Sequence, residues 1–276
     1  MEDQNAKELH EGGEFFQDEG EVELEEGEEL SATDRILAVI TAPEQAFSGL
    51  VNLQQRTKLI IIAMVFSTLL GMGGAILKNS SAELVEKKKA VEVETVESAL
   101  DNPDIPEKYK SQFEESIATI EAKTSGDYRR DDLLGSGLLF LIFPFVSSLL
   151  VLIVAKVLER RRETKIGYTV ALTVTVLANI IYGLKYFFDG AGSRLTGNPT
   201  FGLHAGMFMS FENLQVGQLV PLFDLFFFWW LVVSGIGIAV IAKTSKLKGI
   251  LGQLGMSVLL FVLLTVLFIL LSLLGG

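Results

Sequence analysis

Leu133–Leu158, LLGSGLLFLIFPFVSSLLVLIVAKVL, holds one charged residue, Lys156, close to its end. A helix rises about 1.5 Å per residue, so a run of this length exceeds the roughly 30 Å hydrocarbon core of a bilayer. Four further runs repeat the pattern, at Leu59–Leu77, Ile166–Phe188, Leu219–Ala242 and Ile250–Leu274, and all five are about 19 to 26 residues long. Backbone polar groups in lipid must be paired within the segment, which leaves helices as the form such runs take. The expectation is an all-α integral membrane protein with five transmembrane helices.

Charge is distributed very unevenly around those runs. The formal net charge is −11. Residues 1–30 carry 13 acids against Lys7, a balance of −12, so the rest of the chain sums to about +1. The acidic character therefore belongs to a tail rather than to the membrane body, and nucleic acid is not an expected partner. Residues 1–32 read as a disordered acidic tail, too poor in apolar residues to offset the entropy of ordering. No leader is expected, because the N-terminus is acidic and lacks an apolar core. With no cysteine and two histidines, disulfides, thiolate metal sites and cysteine nucleophiles are excluded.

Residues 33–56 read as an amphipathic helix before the first span, lying flat at the membrane surface or docked on the bundle, the first being favoured. Thr41-Ala42-Pro43-Glu44 has capping-box spacing, and Phe47, Leu50 and Val51 fall on one face. Residues 57–276 form the membrane domain, interrupted after the first span by a hydrophilic insert at 78–132. The insert predicts two helices, Ser81–Leu100 and Pro106–Ala122, that form a hairpin outside the bilayer. The first is ambiguous, since Val91 and Val93 alternate with glutamates in the manner of a strand. The second has a narrow apolar stripe of Tyr109, Phe113, Ile117 and Ile120.

Arg160, Arg161, Arg162 and Lys165 lie between spans two and three, and Lys243, Lys246 and Lys248 between spans four and five. Arg56 and Lys58 flank the entry to span one. Short basic loops face the cytoplasm, so the N-terminus is expected inside and the C-terminus extracytoplasmic.

Ionisable or amide groups at membrane depth are candidate functional positions. Lys156 sits near a span end and snorkels. Lys185 near the end of span three and Asp224 near the start of span four are expected at similar depth and paired, as a register-fixing ion pair or as a proton or substrate site. Asn179, deeper in span three, is expected to hydrogen-bond a neighbouring helix. Pro144 is expected to kink span two and free a carbonyl for Ser147 or a neighbour. Gly71, Gly73, Gly74, Gly235 and Gly237 suit close helix packing. His204, Met207 and Met209 have spacing too irregular for a metal site. There is no nucleotide-binding loop, zinc-protease helix or hydrolase elbow, so no catalytic residue, cofactor or metal is expected.

Phe223-Asp224-Leu225-Phe226-Phe227-Phe228-Trp229, with Gly235-Ile236-Gly237-Ile238 and Lys243-Thr244-Ser245-Lys246 following, resembles the fourth-span signature of the Yip domain family (Ypt/Rab-interacting protein one) in its bacterial branch. Ala42-Pro43-Glu44-Gln45-Ala46-Phe47 is similar to that family's entry helix. The resemblance covers about residues 34–276; the acidic tail and the long insert depart from it. It implies a five-span, non-enzymatic protein of a bacterial inner membrane that organises membrane or binds partners there. The lipid bilayer, other membrane proteins or a second copy would be those partners. Eukaryotic relatives associate with Rab GTPases through a cytoplasmic N-terminal region. Here that region is a low-complexity acidic stretch, and Asp224-Leu225-Phe226-Phe227-Phe228 replaces the eukaryotic motif, so no GTPase partner is implied. The competing expectation is a small transporter or channel using the polar residues of spans three and four.

Overall fold

The computed structural model describes residues 30–101, 106–159, 166–202 and 224–275. Every element among them is an α-helix: α1 Ala32–Thr41, α2 Pro43–Phe47, α3 Arg56–Lys78, α4 Ala82–Leu100, α5 Glu107–Ala122, α6 Ser125–Leu158, α7 Tyr168–Ala178, α8 Ile180–Thr196, α9 Leu225–Ile241 and α10 Lys246–Gly275. Four helices are long and apolar enough to cross a membrane: α3, α6, the α7–α8 pair taken together, and the first part of α10. The protein is therefore an all-α, membrane-embedded, multi-pass chain. The fifth apolar run appears as α9, whose 17 residues fall short of those four. The beginning of that run, from Leu219, lies outside the described residues, as do His204, Met207, Met209, Arg160–Arg162, Lys165 and the acidic tail.

Glycines decide how the helices meet. α3 packs most extensively on α8. A Cβ added at Gly74 would run into the Tyr186 carbonyl, and one at Gly190 into the Gly74 backbone. Gly183 meets Ser67 and Leu70 in the same way, which makes α3 and α8 parallel neighbours whose backbones touch. α9 and α10 form an antiparallel pair in which Gly235 and Gly249 face each other. Around these contacts the core is aliphatic and aromatic, with Val151, Val170, Leu177, Ile180, Ile181 and Ile238 fully enclosed.

Asn179 divides the third run. It carries αR dihedrals (φ −65°, ψ −13°) at the joint between α7 and α8, and helix continues beyond Phe188 to Thr196, where Gly197 closes it at φ 68°. α6 is longer still. Its 34 residues span about 51 Å, well beyond the bilayer core, so its polar first turns stand clear of the apolar run that starts at Leu133. Those turns begin at a capping box absent from the sequence reading: the Asp127 amide donates to Thr124 Oγ1, and the Thr124 amide donates to Asp127 Oδ2. α6 passes Pro144 without a break. Ser147 Oγ donates to the Phe143 carbonyl at 2.7 Å, an ordinary i−4 bond, and not to the Phe140 carbonyl that proline leaves without its usual donor.

The pre-membrane segment differs from expectation. Thr41 and Glu44 form no capping box. Thr41 ends α1 and donates to the Leu37 carbonyl, while α2 starts after Ala42 with no side-chain cap. Residues 32–47 fold as two helices that bend at Ala42, with Ile36 and Val39 buried and Leu37 and Ile40 exposed. Phe47 and Leu50 are buried, and Phe47 fills the notch left by Gly237 beside Val174. Arg35, also buried, donates through Nη1 to the Ala46 and Ser48 carbonyls, closing the loop onto α1. Packing of α2 against α9 supplies the burial of Phe47.

The insert folds as the expected helical hairpin. α4 is helical throughout, Val91 and Val93 included, and packs on α5. Its base is braced against α6 and α8. Tyr128 donates to Glu92 Oε2 at 2.6 Å beneath the ammonium groups of Lys88 and Lys123, and Lys87 Nζ donates to the Gly197 carbonyl.

Candidate functional site

Three charged side chains meet where α8 passes the start of α9. Lys185 Nζ is 2.6 Å from Asp189 Oδ2 and 2.9 Å from Asp224 Oδ2. Asp224 is 2 % exposed, while Lys185 and Asp189 are 19 % exposed at the side chain. The pairing expected of Lys185 and Asp224 is thus present in the geometry, with a third member that the sequence reading missed. The signal was available: Lys185 and Asp189 stand four apart on one helix, the spacing at which side chains meet.

Asp224 does not sit within a helix, as span counting had placed it. It is the N-cap of α9, and its Oδ1 accepts the Phe227 amide at 2.6 Å while Oδ2 takes Lys185. A carboxylate at this position satisfies an orphan N–H and complements the positive end of the helix dipole. Both oxygens are therefore occupied. Asp189 is less complete: its Oδ1 is buried and has no partner among the described residues. Stacked Phe188 and Phe226 close one side of the triad, and α3 lies alongside, close enough for Lys78 to feel the charge of Asp189.

A second polar group lies at the same end of the bundle. Asn79, buried after the last turn of α3, donates to Asp132 Oδ2 at 2.7 Å, and Lys88 Nζ reaches the same oxygen at 2.8 Å. This ties α3, α4 and α6 together where the hairpin joins the membrane part.

Asn179, six residues before Lys185, meets a neighbouring helix, as expected. Its Oδ1 accepts from Trp230 Nε1 of α9 at 3.1 Å, in a buried setting. Trp230 also packs against Tyr182 and Phe227. Asn179→Leu keeps the volume and removes the acceptor. It is expected to cost about 0.6–1.7 kcal/mol, the range for membrane hydrogen bonds, read from denaturant unfolding in detergent.

At the opposite end of the bundle lie the basic residues. Arg56 donates to the Val51 and Leu53 carbonyls and to Thr169 Oγ1, which sets the start of α3 beside the start of α7. Lys246 Nζ is 2.7 Å from Glu44 Oε2, which sets the α9–α10 turn beside α2. Three loops distant in sequence therefore share one end. No group of three His, Cys, Asp or Glu side chains able to hold a metal occurs among the described residues. No protein-family model, curated protein or solved structure matches the chain.

Proposed function

We propose that this chain is a non-enzymatic multi-pass membrane protein of the Yip type, which organises membrane or binds partners within it. It crosses five times, with the N-terminus cytoplasmic and the C-terminus outside, and the bacterial inner membrane is its location. The observation that carries the structural reading is the saturation of Asp224. One oxygen caps α9 and the other holds Lys185, so both are engaged in holding helices together. Asn179 is likewise committed to Trp230. Glycine contacts that bring helix backbones together, as at Gly74 and Gly190, support a compact packing unit. The shared end of Arg56, Lys58, Lys243, Lys246 and Lys248 supports the orientation, because positive loops stay in the cytoplasm.

A carrier or channel is the second reading, and the unpartnered Oδ1 of Asp189 is what favours it. Reconstitution separates the two. In the packing role, Asp224→Asn lowers the unfolding midpoint and leaves ion flux across proteoliposomes equal to that of protein-free vesicles, as in the unsubstituted protein. Flux in the unsubstituted protein that vanishes in a still-folded Asp224→Asn variant would establish the carrier instead.

The absence of cysteine makes orientation simple to test. A membrane-impermeant maleimide applied to spheroplasts is expected to label Glu97→Cys on the hairpin at once. Lys248→Cys should react only after permeabilisation. The reverse pattern overturns the orientation.

A further inference from the structure

Two helices alone cannot enclose an apolar core, and the hairpin leaves its seam open. Lys89 Nζ donates to the Glu121 carbonyl, which sets the antiparallel register of α4 and α5. Val93 then stands opposite Ile117, Val96 opposite Phe113 and Leu100 opposite Tyr109. All six are only half-buried, although each faces a neighbour. Among the described residues α5 buries none, and α4 buries only Leu84 and Val85 of its first turn. α5 packs on α4 and on no other described helix to a comparable extent.

The charges beside that seam are one-sided. Lys87, Lys88, Lys89, Lys110 and Lys123 each hold a carboxylate. Glu94, Glu97 and Asp101 hold nothing in return. Spaced three and four apart, they share one face of α4, exposed and without an ion pair among the described residues. Glu114 and Glu121, two turns apart on α5, are exposed and unpaired in the same way. Glu97 and Asp101 also stand at the C-terminal end of α4, where the helix dipole is negative and the last turn has no basic residue. They disfavour the helix end they occupy, and a cation brought alongside reverses that effect.

We propose that the α4–α5 seam receives a basic amphipathic helix of a partner protein. Its apolar stripe lies on Val93, Leu100 and Ile117, and its lysines or arginines stand beside Glu94, Glu97 and Asp101. The 16 residues of α5 give the seam a length of about 24 Å, a match for a partner helix of four to five turns. A second copy is a poor fit, because a two-fold axis sets the same face against itself, carboxylate on carboxylate. Anionic lipid is repelled for the same reason. Such a surface rests on the partner-binding reading above and gives it a place outside the spans.

The probe is a helical peptide of matching length with leucine along one face and lysine elsewhere. Its two controls carry glutamate for lysine and serine for leucine. Because the chain has no cysteine, a benzophenone maleimide can be placed at Ala90→Cys, in line with Glu94 and Glu97, or at Thr95→Cys, on the side of Glu92. In phosphatidylcholine nanodiscs holding the full chain, photolysis at Ala90→Cys should capture the leucine–lysine peptide at least tenfold more than either control. It should also capture at least tenfold more than Thr95→Cys does. The yield should fall severalfold in molar salt. It should fall about tenfold when Glu94→Gln, Glu97→Gln, Glu114→Gln and Glu121→Gln are combined, exposed changes whose unaltered helicity circular dichroism checks. Equal capture of probe and controls, equal capture at the two positions, indifference to the four substitutions, or a chain-to-chain crosslink in place of the peptide would each overturn the proposal. None of these outcomes touches the Asp224→Asn flux comparison, so the two readings fall separately.

Discussion

Gly74→Leu is expected to yield no monodisperse protein in detergent, whereas Gly137→Leu yields normal amounts. The contrast rests on what each new side chain meets. At Gly137 a Cβ finds nothing within 4 Å, and leucine is the better helix former by somewhat under about 1 kcal/mol. At Gly74 the first added carbon already coincides with the Tyr186 carbonyl and the backbone around Phe187. Where overpacking is met by a flexible side chain it costs about 1–3 kcal/mol. Here the obstacle is the main chain of α8, which yields only if the whole α3–α8 contact opens. Even Gly74→Ala should lower the unfolding midpoint measurably. Gly71→Ala is the informative intermediate, since its obstacle is the ring of Phe140 and not a backbone. Equal stability of the Gly74 and Gly137 variants on size exclusion and thermal unfolding would show that α3 and α8 are not in backbone contact.

Asp224→Ala is expected to destabilise by about 2.5–4 kcal/mol, the range for a lost helix cap together with a lost charge-assisted hydrogen bond. Two losses combine. Lys185 keeps only Asp189, and the Phe227 amide at the start of α9 loses its acceptor, a cap worth about 1 kcal/mol in its own right. Asp224→Asn retains an oxygen for the cap and should lie between the two. The pair can then be separated from the cap by substituting both charges. Lys185→Met strands two carboxylates, Asp189 and Asp224, and adding Asp224→Asn neutralises one of them, so the double variant is expected to recover part of the Lys185→Met loss. Double-mutant unfolding in detergent reads this directly. Simple additivity of the two single substitutions would mean that the 2.9 Å contact contributes no coupling.

The membrane class was legible because five apolar runs state it in length and composition alone. The similar depth of Lys185 and Asp224 was legible as well, since a fixed rise per residue converts sequence position into height. Asp189 was not legible because the apolar run ends at Phe188, one residue before it, although the helix continues for two more turns to Thr196. The role of Asp224 as a cap was hidden for the opposite reason. Its neighbours Leu219–Phe223 are apolar, so hydropathy gives no sign that a helix starts at Leu225. Thr41 and Glu44 show the limit of motif spacing. Residues three apart satisfy the capping pattern, but the carbonyl of Leu37 was a closer partner for Thr41 once α1 had formed upstream. The docking of Phe47 was not readable either, because the notch that receives it is made by Gly237, nearly two hundred residues further along.

The 34 residues of α6 make one uninterrupted rod from Thr124, outside the membrane, to Leu158 at its far end. The hairpin is fastened to the first turns of that rod through Tyr128 and Asp132. A pull or a twist applied to the tip therefore reaches the lipid-embedded half as a mechanical load, with the rod as its lever arm. Whatever grips the hairpin grips the second crossing as well.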